Sequence, residues 1–427
     1  MSLSDIRSFV SSGYANSVVR RSILLLCLMG PAFAINLVLY YVAASLLSPE
    51  NFGLFYIAVT AANVLYSGST VLNIFFTRYL VSVIQAAGDS AAYSARSRIQ
   101  RLIVRVGVLP AGACILALFG FGKLVGVESP LIIVLIVLDA FTAYLVDIDR
   151  ALLQGLRKTV LLGSVTLVWM ALRFVLSAAG MALFKTAWAG LLGAVLATLL
   201  VVAGLSMTFF SSDRLATQRF QALPPVRTLL PVILGYGSLI LVSNLDVLLT
   251  YLLLKNAALG AYSASSVFPK GILVVVTPLL QMLYPMMVGQ KKAGLRDNRI
   301  VLLKCLGVIL ALSGTTALAV FLFRGLLCGG AWGLKLCQPY ALQLLLLSAV
   351  FLSLLRVIAF YQSARASDWT AISMLVPAAA YLWIAESSAR APDTIAAQFT
   401  VFSAVVLIFY AAVSLISERW FAYLRLG

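Results

Sequence analysis

TAWAGLLGAVLATLLVVAGLSMTFF, residues 186–210, runs for 25 residues without a charged side chain. An α-helix rises about 1.5 Å per residue, so this stretch is long enough to cross the roughly 30 Å of hydrocarbon in a bilayer. A helix also satisfies every backbone N–H and C=O within the segment, which hydrocarbon demands. Comparable apolar runs lie near 22–47, 52–77, 102–126, 130–150, 159–184, 229–254, 266–289, 301–323, 339–362, 369–386 and 394–416. The reading is an all-α polytopic membrane protein of about twelve spans. Composition agrees: 62% of the 427 residues are hydrophobic and 11% charged, with mean hydropathy +1.04. A soluble domain carries about 25% charged residues, and no segment here reads as one.

The formal charge is +17. The basic residues are scattered over short connections and not gathered on one domain, so topology and anionic lipids explain them better than nucleic acid does. Counted to the span ends, 22 Lys and Arg fall on the side of the N-tail, the even-to-odd connections and the C-tail, against 6 on the other side. This bias places both termini in the cytoplasm. The remaining three, Arg173, Lys270 and Arg356, lie inside spans. Histidine is absent and the five cysteines show no C-x-x-C spacing, which argues against a metal site. No cofactor is expected. In the polar N-tail, Leu3, Ile6, Val10 and Tyr14 share a helical face, as in a short interfacial helix before an uncleaved first span.

The second half repeats the first at an offset of 207–208 residues. Arg20 aligns with Arg227, Gly53 with Gly260, Gln154 and Arg157 with Gln362 and Arg365, and, within one residue of that offset, Ala86-Ala87-Gly88 with Lys292-Ala293-Gly294. The matches keep their membrane sides, so two six-span halves run parallel. The expected division is 1–210 for the first lobe, 211–228 for a cytoplasmic linker and 229–427 for the second lobe. Parallel repeats are a transporter design with the substrate site between the halves.

At Leu47-Ser-Pro-Glu-Asn-Phe-Gly53-Leu-Phe, with Arg78-Tyr-Leu where the second span meets the cytoplasm, the chain resembles the polysaccharide-transport flippases. These belong to the multidrug/oligosaccharidyl-lipid/polysaccharide exporter superfamily. The second-half counterpart, Lys255 to Tyr262, has lost the Pro-Glu. The resemblance implies a transporter in a bacterial inner membrane that flips an undecaprenyl-pyrophosphate-linked oligosaccharide to the outer leaflet by alternating access. It also implies contact with polysaccharide polymerase or export machinery. The chain is expected to act as a monomer.

A charge within hydrocarbon costs about 2.5–3.5 kcal/mol on insertion scales, so each one needs a partner or a watery cavity. Two readings compete for Arg173, Lys270 and Arg356. In one, Asp139 pairs with Arg173 and Asp246 with Lys270, locking neighbouring helices. In the other, the cations line a central cavity, with Arg78 at its cytoplasmic side, and hold an anionic headgroup by bidentate and point-charge contacts. Asp246, with Asn244 and Asn36 at matching depths, can instead couple transport to protons, sodium or the membrane potential, or the two Asn side chains can simply bond across helices.

Arg98, Arg101 and Arg105 stripe one helical face, either anchoring in lipid headgroups or recruiting the substrate pyrophosphate. Pro278 and Pro285 in the eighth span, and Pro31 in the first, are candidate hinges, with static kinks the alternative. Cys328 and Cys337 flank an outer loop and form a disulfide if that side is oxidising. Two other functions compete with this one. A drug or metabolite exporter of the same superfamily would have a less basic interior lined by aromatic residues. A membrane polymerase or ligase would need a larger outer loop than any here.

Overall fold

The computed structural model describes residues 13–125, 129–156, 158–214, 229–254, 256–289, 295–329, 337–364, 373–388 and 391–423. The helices in chain order are α1 (Gly13–Leu46), α2 (Pro49–Val125), α3 (Pro130–Gly155), α4 (Thr159–Phe184), α5 (Ala187–Arg214), α6 (Leu229–Leu253), α7 (Asn256–Gly289), α8 (Leu295–Leu322), α9 (Arg324–Gly329), α10 (Pro339–Ala364), α11 (Leu375–Ser388) and α12 (Pro392–Tyr423). Among the described residues, α3, α4, α5, α7, α8, α10 and α12 are long and apolar enough to cross a membrane, and α1, α6 and α11 hold shorter apolar stretches. The expected interfacial helix in the N-tail falls largely outside the described residues.

The polar connection expected between the second and third spans is helical. α2 continues through it as two arms, 49–87 and 89–125, that meet at Gly88 with φ 81° and ψ 178°. Ala86, Ala87, Ala91, Ala92 and Ala95 are strong helix formers, so polarity here marks the exit from hydrocarbon and not the end of the helix. Only glycine reaches the Gly88 conformation without strain. α7 likewise starts about ten residues before its predicted span. α11 has 14 residues, about 21 Å of helix, and is shorter than the predicted 369–386.

The Leu47–Gly53 motif works as a helix start and a tie. The Ser48 hydroxyl accepts from the Asn51 backbone N–H at 3.3 Å and from its side-chain amide at 3.0 Å. This is the N-cap role serine favours, with Pro49 at the first helical position. The Asn51 Oδ1 in turn accepts from the Ala187 N–H at the start of α5, at 3.4 Å.

Helix packing follows the repeat. α1 packs on α4 and α6 packs on α11, which are first-with-fifth and seventh-with-eleventh spans. α3 packs on α5 as α10 packs on α12, and α4 on α5 as α11 on α12. Between lobes, α2 meets α6, α1 meets α7, and α2 meets α7. The first two contacts exchange under the repeat, and the third maps onto itself.

At that self-related contact Gly53 and Gly260, the pair matched by the repeat, face each other. A Cβ on Gly53 would lie 3.2 Å from the Gly260 N and 2.8 Å from the Leu259 Cγ, and one on Gly260 would clash with Pro49 backbone atoms. Sequence placed both glycines between spans. They are instead the fifth residues of α2 and α7, where lack of a side chain lets two backbones touch.

One buried cluster runs through the second lobe and the outer half of the first, joining Tyr40, Phe52, Phe55 and Tyr56 to Leu239, Val242, Tyr262 and Val267. A separate cluster holds the inner half of the first lobe, including Phe76, Leu80, Val146, Leu152, Trp169 and Phe209. The lobes therefore share one core at their outer ends, on the side opposite the Lys and Arg excess. The inner half of the first lobe has its own.

That inner half contains a buried ion pair. Arg96 Nε donates to Asp149 Oδ1 at 2.6 Å, with side chains 2% and 0% exposed. Gln100 adds a hydrogen bond to the same oxygen at 2.9 Å, and the guanidinium lies over Phe209 at 5.0 Å. The pair ties the second arm of α2 to α3.

At the outer end of the second lobe, Cys328 on α9 and Cys337 just before α10 are joined, with Cα atoms 5.1 Å apart.

Candidate functional site

A cavity of about 310 Å³ lies between the lobes, lined by α1, α2, α3 and α4 of the first and α6, α7 and α10 of the second. Tyr40 of α1 and Tyr56 of α2 close it on the outer side, their rings edge to face at 5.2 Å. Asn36 on α1 and Asn244 on α6, repeat-related positions, both line it. Arg150 of α3, Arg173 of α4, Lys270 of α7 and Arg356 of α10 supply four cations, and Asp139 of α3 supplies a carboxylate.

The ion pairs of the first sequence reading are present, and the paired cations also line the cavity. Arg173 forks onto Asp139, with Nη2 to Oδ2 at 2.7 Å and Nη1 to Oδ1 at 3.3 Å. Lys270 donates to Asp246 Oδ1 at 2.7 Å and to the Ser243 carbonyl. Asp246 is wholly buried behind Lys270 and also accepts from the Tyr262 hydroxyl at 2.9 Å. The Lys270 ammonium stands 4.9 Å from the Phe399 ring centre, a cation–π distance. Arg356 Nη1 donates to the Leu273 carbonyl at 3.0 Å, which places its guanidinium about one helical turn from Lys270 along α7. Asp246 is therefore a counter-ion held away from the cavity surface, and Asp139 is exposed to it only beside Arg173.

Arg150 and its partner Asp147 were not singled out in the sequence, which treated them as the inner edge of the fourth span. Arg150 Nη1 donates to Asp147 Oδ1 at 2.9 Å, and the Tyr66 hydroxyl of α2 donates to Oδ2 at 2.6 Å. Asn73 bonds the Asp147 carbonyl at 3.0 Å. The signal that could have found them is the i, i+3 spacing of opposite charges on a helix that had not yet ended. Asp139 and Asp147 are eight residues apart, about 12 Å along α3, so the first lobe offers cations at two depths. The balance around the cavity is four cations against Asp139, Asp147 and Asp246, which leaves one positive charge in excess.

The Arg78 side chain and those of Pro278 and Pro285 fall outside the described residues. Pro31 sits inside α1 and is exposed. Arg98, Arg101 and Arg105 are exposed on the second arm of α2, away from the cavity lining. Among the described residues no group of three or more candidate ligands could hold a metal ion.

The fold recurs in solved transporters of one superfamily. The Vibrio cholerae MATE transporter VcmN superposes with a TM-score of 0.65 over 95% of this chain and 98% of that one, at 16% identity. An inward-facing multidrug resistance MATE family transporter of the MOP superfamily gives 0.64 over 93% and 98%, at 14% identity. A MOP superfamily transporter from Pyrococcus furiosus gives 0.61 over 94% and 95%, at 13% identity. The chain thus has the fold of the MOP-superfamily transporters along nearly its whole length. No protein-family sequence model matches it, and no curated protein matches it by sequence.

Proposed function

We propose that the protein flips an undecaprenyl-pyrophosphate-linked oligosaccharide from the cytoplasmic to the outer leaflet of a bacterial inner membrane, by alternating access between its two lobes. The observation that carries this reading is the inter-lobe cavity, where Arg150, Arg173, Lys270 and Arg356 outnumber the carboxylates around them. Cations supplied by both lobes suit a diphosphate, because an anion bridging them links its own binding to lobe movement. The Leu47–Gly53 motif supports the polysaccharide-transport branch of the superfamily. With the lobes joined at their outer ends, the cavity is placed to load from the cytoplasmic side. Coupling to protons, sodium or the membrane potential would run through Asp246, Asp139, Asn36 and Asn244. The carrier works as a monomer beside polymerase or export machinery.

Likeness to a structure described as a multidrug resistance transporter favours a second reading, export of a drug or metabolite. The cavity cations argue against a cationic drug within that reading. Complementation of a strain lacking its polysaccharide flippase separates the two. Wild type is expected to restore surface polysaccharide, and Arg356→Ala and Lys270→Ala to cut the rescue about tenfold or more at equal membrane abundance. Full rescue by both variants would remove the headgroup role of these cations.

A further inference from the structure

The second arm of α2 carries a face that the cavity does not use. Arg98, Arg101 and Arg105 are exposed along it, and the same face continues through Leu109 and Leu116, 78% and 75% exposed. At about 100° per residue, positions 98, 101, 105, 109 and 116 fall within roughly 80° of arc, a single stripe. The stripe is basic over its first 8 residues and apolar beyond them. The other side of the same turns is committed to the protein interior, where Arg96 pairs with Asp149 and Ile99 is buried. The arginines therefore face outward through the packing of this arm on α3. The Arg101 Nε donates to the Ser97 carbonyl at 3.3 Å, which keeps its guanidinium against the helix at that level.

We infer that this stripe is a docking site for anionic phospholipids of the cytoplasmic leaflet, with the phosphates on Arg98, Arg101 and Arg105 and an acyl chain along Leu109 and Leu116. The change from arginine to leucine between residues 105 and 109 places the boundary between headgroups and hydrocarbon at that turn. Charge complementarity names the occupant: guanidinium groups at headgroup depth favour a phosphodiester with net negative charge over a zwitterion. Lipid held here grips the arm just beyond the Gly88 break, so it bears on how that arm sits against α3.

The test uses the full-length protein and phosphatidylglycerol. Purified protein is exchanged into nanodiscs of mixed phosphatidylglycerol and phosphatidylcholine, and retained lipids are counted by native mass spectrometry. Wild type is expected to retain phosphatidylglycerol preferentially, and Arg98→Gln/Arg101→Gln/Arg105→Gln to lose that preference by about fivefold for each arginine removed. Each single Gln variant is expected to lose a share of it, which keeps the test open if the triple variant folds poorly. The wild-type thermal midpoint is expected to be higher in phosphatidylglycerol than in phosphatidylcholine nanodiscs. An unchanged preference in the folded variants, or no preference in wild type, would overturn the inference. Both readouts are independent of transport, so they stand or fall apart from the flippase reading.

Discussion

Replacing Gly260 with valine is expected to cut transport at least about fivefold and to shift the lobes apart at their outer ends. A Cβ there would meet the Pro49 carbonyl carbon at 2.8 Å and its Cα at 3.0 Å, with the carbonyl oxygen closer still. These are backbone atoms at a capped helix start, so no rotamer change relieves the clash. Forcing atoms into a packed contact costs about 1–3 kcal/mol. Each 1.4 kcal/mol shifts a two-state population about tenfold, so that cost lowers the outer-closed population by roughly five- to 140-fold. Spin labels on the outer ends of α2 and α7 would report the lobe separation. A distance distribution like that of wild type would show that the contact does not govern closure. Gly53→Val is expected to act in the same direction but more weakly, because its nearest neighbour is the Leu259 side chain, which can move.

The second large effect is on stability. Asp246→Ala leaves the ammonium of Lys270, whose side chain is 16% exposed, without its carboxylate. Removing one partner of a buried ion pair costs about 3–5 kcal/mol, since the remaining charge stays desolvated. Replacing both, as Asp246→Leu with Lys270→Met, is expected to regain most of that stability, because two apolar side chains of similar volume need no counter-ion. Thermal unfolding in detergent measures both variants. Transport separates structure from function: the double variant is expected to be stable yet inactive, because the cavity has lost a cation. A stable double variant that transports at the wild-type rate would make the pair a helix lock alone.

Much of this architecture was legible in the residues because hydrocarbon leaves so few options. A run such as 186–210 can be little else than a spanning helix, and the repeat supplied the correspondence between the two halves. The connection around Gly88 was not legible as helix, since hydropathy reports the solvent around a segment and not its backbone, and Ala-rich polar turns continue a helix outside the membrane. Gly53 and Gly260 were matched by offset, but their contact depends on how two lobes meet, which no local pattern encodes. The pairing of Asp139 with Arg173 and of Asp246 with Lys270 was one of the two readings that depth within neighbouring spans allowed. Arg150 was not legible because it closes the predicted fourth span, 130–150, where a basic residue reads as a membrane-edge charge. Whether a paired cation also faces a cavity is a question of helix rotation, and apolar residues surround every side of these spans.

The most direct measurement is translocation of a fluorescent undecaprenyl-pyrophosphate oligosaccharide in sealed proteoliposomes, followed by quenching from outside. Wild type is predicted to move it at a rate that falls about tenfold or more in Lys270→Met and Arg356→Met, with no comparable movement of a cationic dye. Equal rates in wild type and both variants, or transport of the dye without the anionic lipid, would contradict an inter-lobe cavity built to hold a diphosphate.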